Sequence, residues 1–529
     1  MPDFMRITTN QEMRKIDQIA QDEFDIDANI LMENAGRAAV QVLFDVYPHA
    51  GKQKEILVFA GKGNNAGDAF VVARRLLCLD RKVRVFLLVD PKQYKGSTKK
   101  NYEILTHMKA KMLQLEAVSD LNAFFERSQG PFVAIDGILG TGLKGNLEGI
   151  FYDVVECINK NVTNIVSLDI PTGVDGDSGA VNGASILSTL TLSFGFPKLG
   201  HFLPPGASRR GKLVNVDISL PPQYRKEGSM FLLRPHPMAK LLEVRDRYGH
   251  KNSFGHCLLI GGSIGTCGAI SLASRACHRI GTGLVSVATW SDTYQMLSTR
   301  LVDETMVLPV QLNHPEVAQE VIGKYSSIVI GPGLGMRKEG KRLMDELLST
   351  FEGPLVIDAD GLNLISEYDF HDLLVKRSAP TVLTPHVGEM ARLLKMDKED
   401  ILKAPVDAIK RAVDKTFSVV VLKGASTLIG STEERIYLNH YPNDGMATAG
   451  SGDVLAGMIG GLLGQNMNDF DAAQLGVFLH SFAGGFASKK YGHRSMCASD
   501  IIKNIGNAFE KIKSYSDPSF PEEGRANLL

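Results

Sequence analysis

The chain has 529 residues, 22% of them charged, with 58 Lys and Arg against 59 Asp and Glu for a net charge of -1. That length exceeds what one hydrophobic core organises and calls for two or more domains, while the balanced charge offers no field for nucleic acid or a membrane surface. The six cysteines include no Cys-x-x-Cys pair, the N-terminus carries no apolar run of signal-peptide length, and no stretch nears the ~18 apolar residues of a spanning helix, so a soluble, reduced, cytoplasmic protein is expected.

In chain order, Thr9 with Glu12 three residues later predicts a capping-box start for a helix through Ile19, and Leu31 to Val42 reads as a second helix. Ile56-Leu57-Val58-Phe59-Ala60 is a continuous apolar run of buried-strand type, followed by the loop Gly61 to Asp68 and a helix from Ala69 to Leu77. Further strand-like runs fall at Val83 to Val89, Val133 to Asp136, Ile165 to Asp169, Leu190 to Phe194 and Leu213 to Ile218. Strands alternating with helix-length segments mean a parallel sheet covered on both faces.

After Pro221-Pro222 the chain turns polar to Gly228, where the domain boundary is placed, and the next strand is expected only at about Cys257. A second α/β series follows, with strands at Cys257 to Ile260, Leu284 to Ala288, Ile328 to Ile330, Leu355 to Ile357, Val382 to Leu383 and Val419 to Leu422. Residues 1–228 and 229–515 are thus expected to be two domains, and the Pro-, Ser- and Glu-containing 516–529 a disordered tail.

Ligands of open α/β sheets sit beyond the carboxyl ends of the strands. In the first half those ends carry Gly61 to Asp68, Asp136 to Asn146 and Asp169 to Gly176, so three loops should converge on one crevice. Gly61-x-Gly63 and Gly140-x-Gly142-x-x-Gly145 look like dinucleotide fingerprints, but Asp68 would face a pyrophosphate and no hydride-transfer site is evident. The Asn65 amide, Asp136 carboxylate and Thr172 hydroxyl are hard oxygen donors suited to a hard cation. As turn and capping residues, Asn64-Asn65 and Thr172 would need no ion at all. In the second half, Gly450-Ser451-Gly452-Asp453 opens a helix rich in small apolar residues, so its free N–H groups form an anion site with a carboxylate in the first turn.

The runs Gly61 to Asp68 and Asp169 to Gly176 resemble the epimerase domain of NAD(P)H-hydrate repair enzymes. Gly261-Gly262-Ser263, Gly331 to Gly335, Thr384 to Glu389, Lys423 to Thr427 and Asn443 to Asp453 resemble the ADP- or ATP-dependent NAD(P)H-hydrate dehydratase of the ribokinase-like superfamily. The resemblance implies two three-layer αβα domains, Rossmann-like then ribokinase-like. They would interconvert the R and S hydrates of NADH and NADPH and dehydrate the S form at the expense of ADP, giving AMP and phosphate.

By that resemblance Asn64, Asn65, Ala66, Gly67, Asp68, Gly140, Thr141, Gly142, Leu143, Lys144, Gly145, Asn146 and Asp169 bind the hydrated dinucleotide, and Asn65, Asp136 and Thr172 hold potassium. Asp169 is the candidate epimerase proton carrier. Ala269, Gly333, His386 and Asp453 contact the hydrate in the second domain, and Lys423, Gly424, Ala425, Ser426, Thr427, Gly450 and Gly452 hold the adenine nucleotide, with magnesium on its phosphates. Asp453 is the base that takes the C6 hydroxyl proton. Ala66 and Ala69 stand where the family usually has glycine, and Thr172 where it often has serine, so added methyls could tighten the pocket. No nucleic-acid or membrane partner is expected, and a homo-oligomer is. The competing reading is a ribokinase-like small-molecule kinase of thiazole or pyrimidine type with a non-catalytic first module. Thr384-Pro385-His386 and the attached first domain speak against the kinase, and the retained Asp68, Asp136 and Asp169 against a non-catalytic module.

Overall fold

The computed structural model describes residues 4–52, 55–128, 130–142, 145–181, 183–314, 322–515 and 527–528. Leu143, Lys144 and, except for 527–528, the expected tail 516–529 lie outside them. The chain forms two compact units, one built on Arg6–Gly228 and one beginning at Ser229.

In the first unit parallel strands lie in the order Lys212–Val216, Leu190–Phe194, Asn164–Leu168, Val133–Gly137, Ile56–Ala60, Val83–Leu87, Lys111–Gln114. The central run Ile56–Ala60 is buried throughout because both faces are covered. Ile56, Val58 and Ala60 pack with Leu43 and Phe70 in one cluster, while Leu57 and Phe59 face Leu121, Val154 and Ile158 in the other. This period of two across a three-layer sandwich is the pleat made visible. From Ile56–Ala60 the chain runs outward to Val83 and Lys111, then crosses back to Val133 on the other side, so the strand order reverses there and a crevice opens at the strand ends.

Two expectations need correction here. The segment after Ile56–Ala60 is no loop to Asp68: Gly63, at φ 80°, caps a helix Asn64–Cys78, so Asn64 to Asp68 form its first turns. The polar edge strand Lys111–Gln114 was not anticipated, being too exposed to show an apolar run.

In the second unit the order is Met230–Leu232, Ile436–Asn439, Thr427–Gly430, Val419–Leu422, Thr381–Leu383, Leu355–Ile357, Ser327–Ile330, His256–Ile260, Leu284–Trp290, Thr305–Val310. Pairing is parallel except on either side of Thr427–Gly430, where short hairpins make it antiparallel. A strand, Met230–Leu232, thus precedes the expected Cys257, its three residues too few for a sequence signal. Thr305–Val310, Thr427–Gly430 and Ile436–Asn439 were not anticipated either.

Against this sheet lies the helix Ser451–Gly464, almost wholly buried, between the sheet and the helices Cys267–Arg279 and Asp469–Tyr491. Its glycines permit that depth. A methyl on Gly457 would meet the Ala273 carbonyl oxygen at 2.1 Å. The close approach fixes the helix start, and with it Asp453.

Candidate functional sites

In the first unit the strand-end loops enclose a cavity of about 740 Å³ lined by Gly63, Asn64, Asn65, Asp68, Gly140 to Gly142 and Asp169. The expected convergence of three strand ends is present. Ala66 and Ala69 are instead buried in the core, so their methyls do not narrow the pocket. Ala69 packs where a Cβ on Gly137 would stand, 2.4 Å away, and Gly67 gives room to the Met32 side chain. Gly145 and Asn146 are exposed and do not line the cavity.

Asp169 holds φ 63°, a left-handed turn that aspartate tolerates better than most residues. Its carboxylate is ion-paired with the Lys198 ammonium, which also donates to the Phe194 carbonyl at 3.0 Å and whose side chain is 1% exposed. His201 clamps the turn: Nδ1 accepts from the Lys198 N–H at 3.0 Å, so Nε2 carries the proton and donates to the Asp169 carbonyl at 2.9 Å. Burial, then Lys198 and Arg210, push the His201 pKa well below its ordinary value, keeping the ring neutral. Asp17, from the helix Asn10–Asp22, also lines the cavity. Burial raises its pKa to about 6 despite Lys198. Burial, Asp169 and Asp17 drive Asp68 well above the carboxylate range.

Of the expected cation donors, Asn65 lines this cavity while Asp136 and Thr172 do not. Asp136, 1% exposed, accepts from the Ile138 N–H at 3.2 Å, the Thr172 N–H at 2.9 Å, the Thr172 hydroxyl at 2.6 Å and the Ser167 hydroxyl at 2.7 Å. Its pKa is nonetheless raised, burial outweighing those bonds. The buried Asn65 amide has neither oxygen nor nitrogen partnered, an orphan that folding does not leave without cause. An oxygen-binding cation fits this donor set, since it would take the Asn65 oxygen and offset the buried Asp136 charge.

In the second unit Gly450, at φ 92°, opens the helix Ser451–Gly464, and Asp453 stands half-buried in its first turn. Burial first, then the charge of Asp358, raise its pKa to about 7 against the pull of Lys423. Lys423 donates to Asp358 at 2.7 Å and lies 3.8 Å from Glu389. Burial opposes its charge, but these carboxylates hold its pKa above the ordinary lysine value. A Cβ on Gly452 would come within 3.2 Å of the Lys423 ammonium and otherwise meet open space, so the lysine flanks the helix start.

The Lys423 N–H donates to the Pro385 carbonyl at 2.9 Å, which sets His386 beside it. His386 Nδ1 accepts from the Gly388 N–H at 2.9 Å, so Nε2, 3.4 Å from Glu389 Oε1, bears the proton, and burial with Lys423 lowers its pKa. Gly333 and Ala269 are neighbours, a Cβ on the former lying 3.2 Å from that of the latter. Asp360 accepts from the Gly335 N–H at 2.8 Å. Gly424 and Ala425 form the exposed tip of the turn after Val419–Leu422, with Ser426 anchored to His440 Nδ1 at 2.8 Å and Thr427 leading into the next strand.

Sequence reasoning missed Asp17, Lys198, His201, Asp358 and Asp360. Asp358 was findable, since it ends the strand Leu355–Ile357 as Asp169 ends Asn164–Leu168. Asp17 gave no signal distinct from an ordinary solvated helix face.

Residues 257–507 match the family described as NAD(P)H-hydrate dehydratase, and 28–200 the family described as YjeF-related protein N-terminus. The bifunctional NAD(P)H-hydrate repair enzyme Nnr of Moorella thermoacetica is 36% identical over 507 residues, 94% of this chain and 95% of that protein. Its counterpart in Thermofilum pendens is 34% identical over 523 residues, 96% and 97% of the two chains. A solved ADP/ATP-dependent NAD(P)H-hydrate dehydratase from Bacillus subtilis, co-crystallized with ATP/Mg2+, aligns with a TM-score of 0.46 at 24% identity over 53% of this chain and 98% of that one.

Proposed function

The chain belongs to the bifunctional NAD(P)H-hydrate repair enzymes, which join an NAD(P)H-hydrate epimerase to a nucleotide-dependent dehydratase, and we propose how its two sites divide that work. The first unit exchanges the R and S hydrates in the cavity around Asp169, and the second returns the S hydrate to NADH or NADPH with ADP as phosphoryl donor.

The observation that carries the second assignment is Asp453, a carboxylate raised to about 7 in the first turn of a glycine-opened helix. A base so poised is partly ionised near neutral pH and basic enough to take a hydroxyl proton. Asp453 removes the proton of the C6 hydroxyl as that oxygen attacks the terminal phosphate of ADP. The helix-start N–H groups at Gly450 to Gly452 and the Gly424-Ala425 turn receive phosphate oxygens. Phosphate then departs with the C6–O bond pair, and loss of the C5 proton restores the ring double bond. Lys423, tied to Asp358 and Glu389, is held beside Gly452 without neutralising the base directly. Among the described residues no group of three His, Cys, Asp or Glu side chains could hold a metal, so magnesium would rest chiefly on the nucleotide phosphates.

In the first unit Asn65, Asp136 and Thr172 would hold potassium, which supplies positive charge at a cavity lined by carboxylates and visited by a dinucleotide. Asp169, turned and paired by Lys198 and His201, is the proton carrier. Residues 1–228 and 229–515 are proposed as separately working domains. The test uses purified 6R and 6S hydrates of NADH. Epimerisation should proceed without nucleotide, and NADH absorbance should return from the S hydrate only when ADP or ATP is added. A phosphorylated hydrate accumulating instead would favour the kinase reading.

A further inference from the structure

Epimerising a carbinol carbon needs proton transfer on both of its faces. The hydroxyl leaving C6 must be protonated on one side, and the water arriving on the other must be deprotonated. One carboxylate cannot reach both. Asp169, ion-paired with Lys198, serves one of them. Among the described residues that line the cavity, the first turns of the helix Asn64–Cys78 supply Asp68, whose carboxyl is buried and raised well above its ordinary value by burial and by Asp169 and Asp17.

Asp17 comes from a different wall. The helix Asn10–Asp22 is pinned over the cavity by Arg14, which donates to the Thr141 carbonyl at 2.8 Å, and by the Asn10 N–H, which donates to Asp177 at 2.6 Å. Asp17 lines the cavity with Arg14 and Gln21 of its own helix, and faces Asp169, Lys198 and Asp68 from the other elements. We propose that Asp17 is the second proton carrier of the epimerase, serving the face of C6 turned away from Asp169. The proposal rests on the epimerase reading of the first unit.

In one direction the Asp17 carboxylic acid protonates the C6 hydroxyl. The C6–O bond breaks, its electron pair leaves with water, and the N1 lone pair closes an N1=C6 iminium. A water on the opposite face adds to C6, the π pair returns to N1, and Asp169 takes the proton. In the other direction the two carboxyl groups exchange roles, and solvent resets them; nothing is oxidised or reduced. A group raised to about 6 can serve both ways.

The test uses the full chain as wild type, Asp17→Asn and Asp17→Glu, with each hydrate of NADH and no nucleotide, the epimers being separated chromatographically. Asp17→Asn should lower epimerisation kcat ~100-fold or more with KM within about threefold, and remove the limb of the pH profile near 6. Asp17→Glu should restore part of the rate and the limb. ADP-dependent dehydration of the S hydrate in the same samples should be unchanged, and calorimetric binding of the hydrate shows the first site intact. The proposal is overturned if Asp17→Asn keeps kcat within fivefold, if only KM moves, or if Asp17→Glu, still binding hydrate, recovers nothing. If wild type itself does not epimerise, the epimerase reading falls instead.

Discussion

Each unit sets one buried lysine among carboxylates beyond its strand ends, yet the two lysines are used differently. Lys198 grips the proton carrier Asp169 directly, whereas Lys423 grips Asp358 and Glu389 and acts on Asp453 only at a distance. The difference matches the chemistry. In the epimerase two carboxyl groups trade the proton and the lysine is ion-paired with one of them, whereas the phosphoryl-transfer base takes its proton with no cation bound to it. The lesson is that the partner a buried cation chooses decides which carboxylate titrates.

The sharpest break of this comparison is Asp453→Asn, expected to lower dehydratase turnover by ~10² to 10⁴ with ADP binding nearly intact and epimerisation untouched. A fall below fivefold would make Asp453 a helix cap. Next, Gly452→Val puts branched carbon where a single Cβ already lies 3.2 Å from the Lys423 ammonium. ADP affinity measured by calorimetry should drop at least ~10-fold, and an unchanged affinity would remove the nucleotide phosphate from this helix start.

In the first unit the counterpart is the cation. Wild-type epimerisation should slow several-fold when potassium is replaced by a larger organic cation at equal ionic strength, and Asp136→Ala should abolish that response. Identical rates in the two buffers would retire the site. The smallest effect is a shift of profile. Because Asp453 must be ionised to act and its pKa is about 7, dehydratase kcat/KM should climb as pH rises through 7 and level off above. Asp358→Asn removes a negative neighbour and frees Lys423 toward Asp453, so the limb should move to lower pH. A limb that stays put or moves upward would show that Asp358 does not set the base. Gly457→Ala tests the scaffold alone and should cost ~1–3 kcal/mol in denaturant unfolding of the second unit, since its methyl overlaps the Ala273 carbonyl.

The sequence by itself determined the alternation of strands and helices in both halves, the three strand ends that meet at the first crevice, and the helix start at Gly450 to Asp453. Those features are local: an apolar run reads as a buried strand, and glycine beside a carboxylate reads as a turn wherever it is packed. It missed Met230–Leu232 and Lys111–Gln114, because three residues or an exposed edge carry no periodicity. It placed Ala66 and Ala69 in the pocket when helix geometry turns them into the core. What only the tertiary structure decided is which charges meet. Asp17 and Lys198 lie far apart in the chain, as do Asp358, Lys423 and Asp453, and nothing local announces their contact. Burial and Coulomb coupling act through space and fall off within a few ångströms, so the protonation states on which both reactions depend are properties of the fold.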